Sequence, residues 1–102
     1  MNELWEILVP TQYNDTKKPV KTRHHRSWDR YVRSISGGLS IFKPIKGQWV
    51  HQGELYEERN IPVRIACNEK QIRKIASFTR IHYRQIAIMC YRVSDKVLIL
   101  EK

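Results

Sequence analysis

Residues 61 to 71, IPVRIACNEKQ, change hydrophobic period from two to 3.6 within a few positions, and this switch restricts the fold more tightly than any other stretch. Ile61, Val63, Ile65 and Cys67 alternate with Pro62, Arg64 and Ala66, the pattern of a half-buried strand. Asn68 and Gln71 then stand at the spacing of a capping box, where side chains and the orphan N–H groups of a helix start satisfy each other. Beyond it Ile72, Ile75, Ala76, Thr79 and Tyr83 share one helical face, and Lys70, Arg73, Lys74, Arg80 and Arg84 take the other. A strand is expected over 86–93, a turn at Ser94-Asp95 and a last short strand over 97–100.

The first half of the chain repeats this order. Residues 3–9, ELWEILV, read as a buried strand with Trp5, Ile7 and Val9 on one face. A long basic loop without periodicity is expected at 10–26. A helix follows, capped at its start by Thr22 or Ser27, with Trp28, Tyr31, Val32 and Ile35 on its apolar face. It stops at Gly37-Gly38 and leads into a strand over 39–42. Between the halves, 43–60 carries Pro44, Gly47 and Gly53 around short extended pieces, an irregular hairpin holding the acidic Glu54, Glu57 and Glu58. Two β-α-β units in 102 residues most economically make one α+β domain over 1–102, a ferredoxin-like sandwich of an antiparallel sheet with both helices on one face. The uncovered face would present Phe42, Ala66, Ala87, Met89 and Tyr91, so a homodimer is expected.

Four short motifs occur in succession: SGGLS at 36–40, Gly47-x-Trp49, Gly53-Glu54-Leu55-Tyr56, and Tyr83-Arg84-Gln85 before Ile86-Ala87-Ile88. Their layout resembles a family of small bacterial and phage-type proteins of unknown function with a GGLT, GxW, GxxY and FxQxx[IV] order. Ser40 stands for the family's Thr and Tyr83 for its Phe. The resemblance implies a ferredoxin-like fold and carries over no catalytic residue.

Net charge is +9, from 19 Lys and Arg against 10 Asp and Glu, which makes a polyanion such as RNA, DNA or a nucleotide the expected partner. Arg23, Arg26, Arg30 and Arg33 on the first helix and Lys70, Arg73, Lys74, Arg80 and Arg84 on the second would form one cationic, non-enzymatic binding surface. Two alternatives stand beside it: a metal-independent phosphodiesterase or ribonuclease centred on His24 and His25, and an interaction or inhibitor protein for an acidic partner. Adjacent histidines diverge by about 100° on a helix, and no Cys or carboxylate stands at ligand spacing, so no metal and no cofactor is expected. Cys67 and Cys90 match no disulfide or zinc spacing, and neither a signal peptide nor a membrane span is apparent; a cytoplasmic protein is expected.

Overall fold

The computed structural model describes residues 2–102. Its elements are β1 (Glu3–Pro10), α1 (Thr22–Ser36), β2 (Ser40–Ile41), β3 (Ile45–His51), β4 (Glu54–Cys67), α2 (Glu69–His82) and β5 (Cys90–Ser94). All strand pairs are antiparallel, in the order β2-β4-β1-β5, with β3 also paired to β4. β2 and β3 divide β4 between them: Ser40 and Ile41 meet Arg64 and Val63, while Ile45 to His51 meet Asn60 to Glu54. This is the ferredoxin-like α+β arrangement expected from the doubled β-α-β order.

The core lies between the sheet and the helices, and period-two alternation explains its membership. Ile7 and Val9 of β1 and Val63, Ile65 and Cys67 of β4 are buried against Trp28 and Val32 of α1 and Ile72 and Ile75 of α2. Each such fully buried aliphatic side chain contributes about 1.5–3 kcal/mol. The helices run antiparallel, and a sequence of contacts sets their register. His24 lies against His82, the Trp28 indole N–H donates to Thr79 Oγ1 at 2.8 Å, Tyr31 stacks on Phe78 at 3.8 Å, and Gln71 Nε2 donates to the Ile35 carbonyl.

The helix ends follow local chemistry at two of four places. Asn68 and Gln71 form the reciprocal capping box, with Asn68 Oδ1 accepting from the Gln71 N–H at 2.8 Å and Gln71 Oε1 accepting from the Asn68 N–H at 3.0 Å. Gly37 closes α1 at φ 85°, a left-handed conformation suited to glycine, and donates to the Arg33 carbonyl. α2 ends at His82, and Arg84 takes φ 50° beyond it. The start of α1 differs from expectation. Thr22 is already helical, Lys21 occupies the cap position without a side-chain hydrogen bond, and residues 22–26 of the stretch read as loop are helix. Contacts of the His24 ring with the end of α2 hold this turn where no cap does.

The C-terminal third corrects two expectations. The strand begins at Cys90 rather than at 86, and 97–100 forms no strand, leaving Leu98, Ile99 and Leu100 exposed. The backbone of 85–89 is used elsewhere. Ile86 N–H donates to Asn14 Oδ1 at 2.8 Å, and the Met89 carbonyl accepts from Leu8 N–H at 3.1 Å. Replacing Asn68 by Ala removes the capping box and is expected to lower stability by about 1 kcal/mol, read as a lower urea midpoint with unchanged slope.

Candidate functional site

Where β4 extends past the end of β1, the β3–β4 hairpin stands away from the sheet and leaves a cleft of about 600 Å³ between itself and residues 85–90. Leu8 and Pro10 form its floor, Ala87 and Met89 its second wall, and Trp49, Glu58 and Asn60 its hairpin wall. The register explains the aromatic side. Trp49 is directly opposite Tyr56, and the rings stack with centroids 4.6 Å apart and planes 17° from parallel. The Lys17 ammonium lies 5.3 Å from the Tyr56 ring centre, a cation–π contact that anchors the loop to the hairpin.

Polar groups fix both walls. Asn14 Nδ2 donates to Glu58 Oε1 at 3.5 Å, while its Oδ1 receives the Ile86 N–H, so one side chain spans the cleft's end. Gln85 is buried, and its amide donates to the Gln12 and Tyr83 carbonyls. The loop expected to be aperiodic is thus held at several points, including a Gln12–Pro19 bridge and the Arg84 guanidinium 4.2 Å above the Tyr13 ring. An apolar floor, the Trp49 ring backed by Tyr56 and one carboxylate suit a small ligand with a flat ring and no net negative charge.

On the same open face, one row of the sheet carries a buried acid. Glu6, 8% exposed, accepts from Arg64 Nε at 3.0 Å and from the Tyr91 hydroxyl. Arg64 on β4 and Tyr91 on β5 are its register partners across β1, and the Arg64 guanidinium also lies over Phe42. Burial alone would push the Glu6 carboxyl up, but the hydrogen bonds from Tyr91 and Arg64 outweigh it and hold it below its ordinary value. The same bond to Glu6 raises the Tyr91 phenol. Both carboxylate oxygens are occupied, so the row ties three strands together and makes the open face partly polar.

The basic residues singled out in the sequence do not converge. Arg23, Arg26, Arg30, Arg33, Lys70, Arg73, Lys74, Arg80 and Arg84 are all exposed, and none lines the cleft. Arg73 pairs with Glu69 at 3.1 Å and Arg84 with Asp15 at 3.5 Å. His24 and His25 face the end of α2: His24 Nε2 donates to the His82 carbonyl at 2.7 Å, and His25 Nδ1 lies 2.8 Å from the Tyr83 hydroxyl. Among the described residues no group of three His, Cys, Asp or Glu is placed to hold a metal ion, and no helix is long and apolar enough to cross a membrane. The sequence gives no sign that Trp49, Glu58, Asn14 and Gln85 belong to one site. Only the pairing of Trp49 with Tyr56 across the Gly53 turn has a local signal.

No family model and no curated protein matches this sequence. Solved structures do resemble it. A divalent cation tolerance protein, CutA1, from Thermus thermophilus superposes with TM-score 0.63 at 13% identity, over 100% of this chain and 87% of its own. CutA1 from Oryza sativa gives 0.67 at 9% identity, over 96% and 83%. A phage SAM lyase in complex with S-methyl-5′-thioadenosine gives 0.68 at 14% identity, over 91% and 89%. The three share with this chain the ferredoxin-like α+β fold.

These likenesses overturn the expected polyanion-binding function and the phosphodiesterase and acidic-partner readings kept beside it. The resembled proteins are described by tolerance of divalent cations and by lyase action on SAM. The geometry gives the physical reason: the cations are spread over exposed helix faces, and the concave site carries a carboxylate. Glu6 supplies a pH test. Its folded value lies below the ordinary 4.5, so its contribution is present above that pH and is lost as pH falls through the folded value. Glu6→Gln should flatten the acid limb of stability below about pH 4.5 and cost about 1–3 kcal/mol at neutral pH, measured by chemical unfolding across pH.

Proposed function

We propose that this chain is the subunit of a homo-oligomer that binds a neutral or cationic small molecule with a flat ring, of the nucleoside thioether or sulfonium class, in the open-face cleft. The observation that carries the reading is Trp49, backed by the stacked Tyr56 ring, lining the cleft beside Glu58 over an apolar floor. An aromatic face takes a purine-like ring, the floor takes a thioether or alkyl group, and Glu58 favours a positive or neutral ligand over an anion. The description of the phage SAM lyase, a fold likeness holding S-methyl-5′-thioadenosine, supports this ligand class.

Homo-oligomerisation accounts for the apolar surface left uncovered by the helices. Phe42, Met89 and Tyr91 on the open face and Leu98 to Leu100 at the C-terminal end are all more than a third exposed. A neighbouring copy seated there would close the cleft from above. On this reading residues 1–102 act as one domain, in a compartment reducing enough to keep Cys67 and Cys90 as thiols, such as the cytoplasm.

Isothermal titration with S-methyl-5′-thioadenosine tests the ligand, and light scattering after size exclusion tests the assembly. Binding by the wild type is expected, with Trp49→Ala weakening it by roughly 5- to 150-fold, the equivalent of about 1–3 kcal/mol per stacked ring. Absence of binding at millimolar ligand, or equal affinity of Trp49→Ala, would overturn the reading. Binding of a divalent cation that is unaffected by Trp49→Ala would favour a metal-related role instead.

A further inference from the structure

The His24 and His82 rings stack with centroids 3.7 Å apart and planes 9° from parallel. Each is also tied to the other's backbone: His24 Nε2 donates to the His82 carbonyl at 2.7 Å, and His82 Nε2 donates to the His24 carbonyl at 2.9 Å. Carbonyls only accept, so both Nε2 atoms carry hydrogen, and the neutral pair satisfies every bond with Nδ1 unprotonated. We propose that this reciprocal clasp is a pH-sensitive latch between the start of α1 and the end of α2, closed when the imidazoles are neutral and opened when the pair is fully protonated.

The surroundings carry the argument. One imidazolium can stack on a neutral ring, but a second proton would put two like charges 3.7 Å apart in a partly buried place. From α2, Phe78 stacks on His82 at 5.0 Å, and Tyr83 presents its ring edge-on to both histidines. From the loop, Tyr13 meets His24 edge-on at 5.8 Å, its own ring covered by Arg84, which pairs with Asp15. From α1 itself, His25 lies against Tyr83, and Asp29 stands one turn further on. No carboxylate makes an ion pair with either clasp ring among the described residues. Burial lowers His82, its hydrogen bond to the His24 carbonyl opposes that, the neighbouring His24 ring adds to the lowering, and the net direction is down; burial, opposed by Asp29, lowers His25.

The sign follows from those directions. In the unfolded chain the His82 ring takes up a proton as pH falls through about 6.5, while in the folded clasp it resists one, so this contribution to stability is retained above that pH and falls below it. Opening has a second consequence, which rests on the ligand reading above. Tyr83, Arg84 and Gln85 follow His82 directly, and Gln85 joins the cleft wall to the loop. Release of the clasp would therefore loosen the cleft at acidic pH.

Nitrogen-detected NMR of the histidine rings in the full chain tests the latch itself. At pH 8 both rings should show Nε2–H signals with slowed solvent exchange, and from pH 8 to 5 amide protection should fall first at His24 to Arg26 and at Tyr83 to Gln85. Nδ1–H tautomers, or protection lost uniformly along both helices, would overturn the proposal. His82→Phe keeps a ring on Phe78 and removes one titrating group; its unfolding midpoint should depend less on pH between 7 and 5 than that of the wild type. An unchanged pH profile would overturn the latch without touching the ligand reading, whose failure shows as absent binding at pH 8.

Discussion

The hydrogen bond from the buried Trp28 indole to Thr79 Oγ1 governs how the two helices lie on the sheet. Trp28 is 1% exposed and Thr79 fully buried, so neither polar group has water as an alternative partner. Thr79 in turn donates to the Ile75 carbonyl, one turn earlier in α2, which orients its hydroxyl to accept from the indole. A slip of α1 by one residue would leave the indole N–H unsatisfied inside the core. The contact therefore fixes the antiparallel register of α1 on α2, and with it the overlap of His24 with His82 at one end and of Ile35 with Gln71 at the other.

The sheet beneath the helices has two chemically different sides, and period two separates them. On β1 the helix side carries Ile7 and Val9, while the open side carries Glu6, Leu8 and Pro10. Burying a carboxylate is costly unless it is paired, and Glu6 is paired on both oxygens. An apolar residue at 6 would make the open face a wider hydrophobic surface. Glu6 with Arg64 and Tyr91 keeps that surface specific in position and confines its most apolar part to the cleft and the edge around Met89.

Much of this architecture was legible because local signals agreed with the tertiary structure. The alternation in IPVRIAC, the Asn68–Gln71 box and the glycine at 37 each reported on their own backbone, and each appears as expected. The start of α1 was not legible, since Lys21 lacks a capping side chain and the turn is held by His82, 58 residues away. Residues 86–89 look like a strand by period but lend their backbone to Asn14 and Leu8 instead. For the site, the sequence drew attention to charge, which marks exposed surface as readily as function. The cleft is made by residues from four separated segments, and their convergence has no signature in one dimension.

The loop between β1 and α1 explains why these separate features form one unit. Tyr13 touches His24 on one side and receives Arg84 on the other, while Asn14 bonds both Glu58 on the hairpin and Ile86 on the opposite wall. Two neighbouring residues thus join the helix clasp to the cleft through the segment after α2. An aperiodic stretch can do this because its side chains are not committed to one face, whereas a strand or helix would present only every second or every third to fourth residue to a given neighbour. The long loop costs closure entropy that grows slowly with length, about 0.6 kcal/mol per doubling. Hydrogen bonds at both its walls offset that cost, so its order depends on the same contacts that shape the cleft.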